Sequence, residues 1–381
     1  MIEKYYNGVI EQVAGGIGNV EHNSILVRYS NDFSIWDLES VNHYKDQTDI
    51  FFTCHEFSYN KIAEAYEPYL GLIRQMFHKY CSGTLEEFME ECDVYKLQRP
   101  VFESYFEKGF CERTEQILID EVEYEQERMH SSIVTMLQKL SEICPIVIVL
   151  NRFQLASKST MQLTNRLLQT KNKNIGIVLG VNDVQSIPEF AHEEWDAICE
   201  SMDDRNMVYH IGNAGRNMEP DVMDYYSDYE SDDGYRKLNN LVYFLDFDQA
   251  NHHLSKIERR IKFDNFTISE KKHYQLLLLQ IMVSVLQRDI AKALESCEDL
   301  EKLQDQEKEG AFYYNFWMAT SYMYLGKLEE AMIYVQKAKE CGEALGDDFL
   351  VFRAELLKAQ NQMSGWCNIF FCAQDIEISD K

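Results

Sequence analysis

The residues best placed to do chemistry gather at one corner, in the stretch CPIVIVLNRFQLASKSTMQLTNRLL from Cys144 to Leu168. An apolar run ends there, a polar corner follows, and a helical pattern begins. A strand ending in one or two carboxylates at such a corner could hold a magnesium ion, which demands oxygen ligands and takes one or two carboxylates. This chain places Asn151 and Arg152 at the corner instead. A neutral amide is a weak magnesium ligand and a guanidinium repels the ion, so the charge that the chemistry needs is missing.

The complementary half of that chemistry is a phosphate cradle. It needs glycines that let backbone N–H groups face the phosphates, and a lysine to neutralise them, between the first strand and the helix after it. Here the first apolar run, Ser24–Ser30, passes into NDFSIWDLES, which holds neither glycine nor lysine. Asp32 and Asp37 stand in that stretch. An aspartate at a helix start caps the free N–H groups and occupies the place of an anion. The glycine cluster AGGIGN, Ala14–Asn19, precedes the strand and reads as a turn. The expected remnant of a nucleotide pocket at these two corners is Ser30, Asn31, Asp32, Asn151 and Arg152.

Other reactive groupings are weak. There is no G-x-S-x-G and no H-E-x-x-H, and His252 and His253 are adjacent, so they point to different helix faces. The ten cysteines include no C-x-x-C pair, which favours reduced core thiols over a metal site. The acidic stretch Asn217–Asn240 places Gly234 after its acids with no closing glutamate, so it reads as a solvated linker rather than a calcium loop. No metal or cofactor is expected. An aromatic stripe at helical spacing, Tyr313, Phe316, Thr320, Met323 and Tyr324, is the candidate groove for a protein or peptide partner.

The elements that must hold these residues can be read from pattern. Five runs look like strands: Ser24–Ser30, Asp49–Glu56, Pro145–Leu150, Ile175–Val181 and Met207–Gly212. Their nearly continuous apolar character is that of central strands in a parallel sheet covered on both faces. Long helical segments separate them, among them KIAEAYEPYLGLIRQMFHKY, so the class is α/β. After Leu241 strands give way to helices, and GKLEEAMIYVQKAKECGEAL forms the second half of a helical hairpin. Ala293 sits 38 residues before Ala331 in a similar setting, and Ala250 marks a looser earlier unit. The division expected is a lead-in helix over 1–23, an α/β domain over 24–216, the acidic linker over 217–240 and helical repeats over 241–381. A net charge of −27 argues against nucleic acid and anionic membranes, since phosphate contacts need clustered cations. No run reaches the ~20 apolar residues that span a bilayer, so a cytoplasmic protein is expected. Trp366, Phe370 and Phe371 form an apolar end that calls for cover by a further domain, a second copy or their own helices.

In order and pattern, Ser24 to Gly212 resembles the signal-transduction ATPases of the AAA-related STAND group. There the strand before the corner ends in two acids, here Asn151 and Arg152, and a helix with paired leucines follows, here Leu167 and Leu168. Pro68-Tyr69 fit the same pattern, as does a polar sensor residue at the end of the fourth strand, here Asn182 or Asp183, which the resemblance adds to the degenerate pocket as Asn182. The Phe312–Glu343 unit, with Tyr322, Gly326, Ala331 and Ala338, resembles a tetratricopeptide repeat. Together these resemblances imply a parallel sheet in the order 5-1-4-3-2, with repeats after it. They also imply the sensory half of a bacterial regulator of the kind linked to GGDEF-type diguanylate cyclases or helix-turn-helix outputs. With both phosphate and magnesium elements absent, hydrolysis is not expected, because phosphoryl transfer depends on positioning and electrostatics. The alternative is an active nucleotide-dependent switch with an unorthodox pocket.

Overall fold

The computed structural model describes residues 2–18, 23–29, 35–45, 47, 49–58, 61–111, 122–182, 187–203, 208–211, 231–263 and 267–378. Five parallel strands form one sheet: β1 Ser24–Tyr29, β2 Phe51–Glu56, β3 Ile146–Asn151, β4 Ile175–Asn182 and β5 Val208–Ile211. Their order is β2-β3-β4-β1-β5, the arrangement 5-1-4-3-2 expected from the sequence. β3 and β4 are buried at every position, as their unbroken apolar runs demand. β2 differs from expectation. It is only half-buried along its length, because it pairs with β3 alone and forms the edge.

Register aligns the carboxyl ends. Glu56 lies opposite Asn151, and Tyr29 opposite Asn182. One face of the sheet, with Val27, Val147, Val149 and Val178, is covered by α1 (Ile2–Gly15). The helix offers Tyr6, Val9, Ile10 and Val13, spaced to form one apolar stripe. The segment expected as a lead-in is thus part of the sheet's own core. Further helices in this unit are α2 Glu39–Lys45, α3 Tyr69–Tyr80, α4 Leu85–Glu91, α5 Arg99–Lys108, α6 Val122–Ile143, α7 Lys158–Thr170 and α8 His192–Asp203. α3 begins later than the pattern suggested. Residues 62–68 are not helical, as suits a segment running into Pro68, which disfavours helix in the residue before it; Tyr66, two residues before the proline, has φ 56°.

Two compact units divide after Ala250. Of the expected acidic linker, residues 217–230 lie outside the described residues. The rest is helical: α9 spans Asp232–Tyr243, with Ser231 Oγ accepting from Gly234 N at 2.9 Å. Its acids sit in the first turn, where the helix dipole favours them. α10 Phe247–Phe263 straddles the division. The second unit continues with α11 Glu270–Leu286, α12 Ile290–Glu301, α13 Gly310–Tyr324, α14 Leu328–Leu345 and α15 Asp348–Ile378.

One turn recurs between helices. Leu245, Arg288 and Gly326 all have positive φ, at 66°, 65° and 72°. In each case the next residue's N–H closes the turn, Asp246 to Leu241 O, Asp289 to Ser284 O and Lys327 to Tyr322 O, at 2.8 to 2.9 Å. Five residues after each comes a fully buried alanine: Ala250, Ala293 and Ala331. The small side chain lets the second helix pack closely. Among the described residues no helix is long and apolar enough to cross a membrane. Trp366, Phe370 and Phe371 have side chains outside the described residues.

Candidate functional site

The corner after β3 is built from the strand ends. Asn151 closes β3 with no exposed surface, and its Oδ1 accepts the Tyr29 hydroxyl from β1 at 2.8 Å. β4 runs beneath them, and its Gly180 leaves the room they need. A Cβ there would collide with the Tyr6 hydroxyl and stand 2.6 Å from Asn151 Oδ1. Tyr6, delivered by α1, therefore fills the space over the strand. Burial, then Tyr29 and Glu56 nearby, hold its hydroxyl well above the ordinary phenol range. Asn151 Nδ2 has no hydrogen-bond partner.

Arg152 turns the chain through a left-handed conformation, φ 53°. Its guanidinium meets Glu56, from the end of β2, at 3.1 Å. Glu56 also accepts from Ile35 N at 3.3 Å. The carboxylate at this edge is thus one strand away from the expected place and is engaged with a cation. Asn182 is buried, and its backbone N–H donates to Gln154 Oε1 at 3.2 Å. The structure accordingly brings Asn151, Arg152 and Asn182 to one edge of the sheet. Ser30, Asn31 and Asp32 lie outside the described residues.

A second polar cluster, missed in the sequence, surrounds the start of α7. Ser157 caps the helix, its Oγ accepting from Thr160 N, and also donates to Glu64 O at 2.9 Å. Ser159 N donates to the fully buried Asp246 at 2.9 Å. Asn240 Nδ2 donates to Glu64 Oε2 at 3.1 Å. Burial first, then the neighbouring Glu67, push the Glu64 carboxyl up to about 7. Glu67 is raised by burial too, and faces His55 at 3.5 Å. Burial lowers His55 to about 4, so it is neutral near pH 7. Glu64 therefore holds its proton to higher pH than an ordinary glutamate. In the sequence it is masked as a polar position on a supposed helix; Pro68 is the signal that this helix starts later.

In the helical unit the predicted stripe is brought together on α13, but its members differ. Phe316 and Thr320 are buried, and the Thr320 hydroxyl donates to Phe316 O at 2.8 Å. Tyr313, Met323 and Tyr324 are half-buried. The Arg353 guanidinium lies 4.4 Å from the Phe316 ring centroid and 5.8 Å from that of Tyr313, while Arg288 lies 4.5 Å from that of Tyr324. A cavity elsewhere in this unit was not expected. It is bounded by α10, α11 and α12, with Leu254, Ile257, Leu276 and Leu277 in its wall. Its trace in the sequence is QLLLLQ, which holds more leucines than one helix face can bury. Among the described residues no cluster of three or more His, Cys, Asp or Glu side chains could hold a metal ion. No protein family, curated protein or solved structure matches the chain.

Proposed function

We propose that the chain is a non-catalytic regulatory scaffold. Its sheet unit has the layout of a P-loop NTPase-like domain without the groups for hydrolysis, and its helical unit offers tetratricopeptide-like repeats to a protein or peptide. The observation that carries this reading is the corner after β3. Where a magnesium carboxylate would serve, Asn151 is committed to Tyr29, and Arg152 to Glu56. A magnesium ion there would meet an amide and a guanidinium, and drawing Glu56 to the ion would take it from its ion pair with Arg152.

The strand order and the recurring turn support the two halves of the proposal. The acidic balance of the chain favours a basic or neutral partner. The exposed parts of Tyr313, Met323 and Tyr324 are its expected landing surface, with Arg288 and Arg353 beside them. A thermal-shift experiment tests the first half. A ligand that binds only the folded chain raises stability by about 2.7 kcal/mol at one hundred times its Kd. Millimolar ATP or GTP with magnesium is expected to leave Tm unchanged. A magnesium-dependent rise that disappears in Asn151→Ala would refute the scaffold reading.

A further inference from the structure

The cavity of the helical unit has a volume of about 280 Å³. A dry apolar cavity of ~150 Å³ accepts benzene, so this one has room for two fused rings. Leu254, Ile257 and Ile261 of α10 and Leu276 and Leu277 of α11 supply its apolar wall. Two buried polar side chains, Gln280 and Ser296, stand among them. Gln280 lines the cavity and is only 4 % exposed.

The orientation of that amide is fixed from outside the cavity. Lys292 Nζ, which can only donate, reaches Asn251 Oδ1 at 3.1 Å. Asn251 therefore presents an oxygen to Gln280, whose Nε2 donates to it at 3.5 Å and to Ser284 Oγ at 3.2 Å. Gln280 Oε1 is the atom left over, and it has no hydrogen-bond partner. A buried acceptor without a donor is expensive to keep. The charged groups around the cavity largely cancel. Lys262 holds Glu258 at 2.7 Å and Glu295 at 3.6 Å, and Lys302 holds Asp299 at 2.7 Å. One carboxylate remains in excess, which disfavours anions. Burial keeps the His273 imidazole below its ordinary range, so it adds no positive charge near neutrality.

We propose that this cavity is a binding site for an uncharged, largely apolar molecule of about two fused rings, carrying one N–H or O–H donor for Gln280 Oε1. The site shares no residue with the corner at Asn151, so it stands or falls apart from the nucleotide experiment. None of its lining residues belongs to the Tyr313–Tyr324 stripe either.

Indole and 1-methylindole are the probes, since they share shape and differ in the single donor. Calorimetric titration of the full chain is expected to show indole binding at least fivefold more tightly than 1-methylindole. In Gln280→Leu the two should bind equally, because the acceptor is gone and the apolar walls remain. Leu277→Trp, which fills the space, should lose both while circular dichroism stays that of the wild type. The proposal is overturned if indole does not bind at millimolar concentration, if the wild type treats the two probes alike, or if the preference survives in Gln280→Leu. Should Leu277→Trp fail to fold, the comparison in Gln280→Leu decides alone.

Discussion

Asn151 and Gln280 carry the same kind of amide into the interior, one at the end of β3 and one along α11, and each leaves one atom unpartnered. Around Asn151 the oxygen is used and the nitrogen is left. Tyr6, Tyr29 and the bare surface of Gly180 close in on it. Around Gln280 the nitrogen is used and the oxygen is left, in the wall of a cavity that leucines and isoleucines also line. An orphaned donor in a filled corner is a cost carried by the fold. An orphaned acceptor on an apolar cavity is a contact still to be made. The sheet corner is thus filled by its own side chains, whereas the helical unit keeps open space beside an unmatched acceptor.

The largest expected effect tests how tightly that corner is filled. Gly180→Ala places a methyl group against the Tyr6 hydroxyl and Asn151 Oδ1. Overpacking of this kind costs about 3 kcal/mol, read as a lower urea midpoint at unchanged slope. Tyr6→Phe removes the nearest obstructing atom, so the double variant should recover more than half of the loss. A Gly180→Ala chain within about 0.5 kcal/mol of wild type would mean the corner has slack, and the contrast with the helical unit would collapse.

The next effect comes from Glu64. Its folded-state pKa of about 7 lies above the ordinary glutamate value of 4.5. Between those values the native chain keeps a proton that the unfolded chain has released. This contribution to stability is full below pH 4.5 and is lost as pH rises toward 7. Glu64→Gln removes the charge that is hard to bury. It should match wild type near pH 4.5 and exceed it at pH 8 by about 1–2 kcal/mol, a figure reduced for the side chain's partial exposure. The half-buried His55 and the buried His130, both lowered to about 4, act in the opposite sense: their contribution is lost as pH falls from 6.5 toward 4. Equal stability of Glu64→Gln and wild type at pH 8 would show that the carboxyl is better solvated than its surroundings imply.

Much of this fold was legible because the signals are local. Apolar runs marked β1 to β5, and the missing charge at Asn151 and Arg152 needs only the strand end to be seen. What was hidden depends on contacts between distant positions. Nothing near Tyr6 says that its hydroxyl will sit over Gly180. Nothing near Glu56 says that it will neutralise Arg152 from the neighbouring strand. Glu64 lies in a segment whose spacing reads as helix, and only the fold brings Asn240 to it. The stripe on α13 was found by its spacing, yet spacing does not separate the core positions Phe316 and Thr320 from the half-exposed Tyr313 and Tyr324.

A smaller effect measures the spare room in the helical unit. Leu277 borders the cavity and is half-buried. Leu277→Phe adds volume into space that holds no protein atoms. It is expected to change stability by less than about 1 kcal/mol, and in the stabilising direction if the ring finds a staggered rotamer. The sheet corner should reject one methyl group while this wall accepts several added ring atoms. A loss above 2 kcal/mol would show the wall to be as tightly packed as the corner.

The smallest effect compares two turns of the helical unit. Arg288 and Gly326 occupy the same left-handed position before α12 and α14, with φ of 65° and 72° and the same closing hydrogen bonds. Glycine adopts this conformation without strain, whereas a residue with a Cβ does not. Replacing Arg288 by glycine should relieve that strain, worth about 1 kcal/mol, but it gives up the guanidinium over the Tyr324 ring, worth about 0.5 kcal/mol at a half-exposed site. The net gain expected for Arg288→Gly is therefore a few tenths of a kcal/mol in thermal or urea unfolding. Gly326→Ala, where nothing crowds the added Cβ, should lose about 1 kcal/mol from backbone strain alone. A clear loss on Arg288→Gly would mean that its stacking on Tyr324 outweighs the strain, and that this arginine is held there by the aromatic surface rather than by the turn.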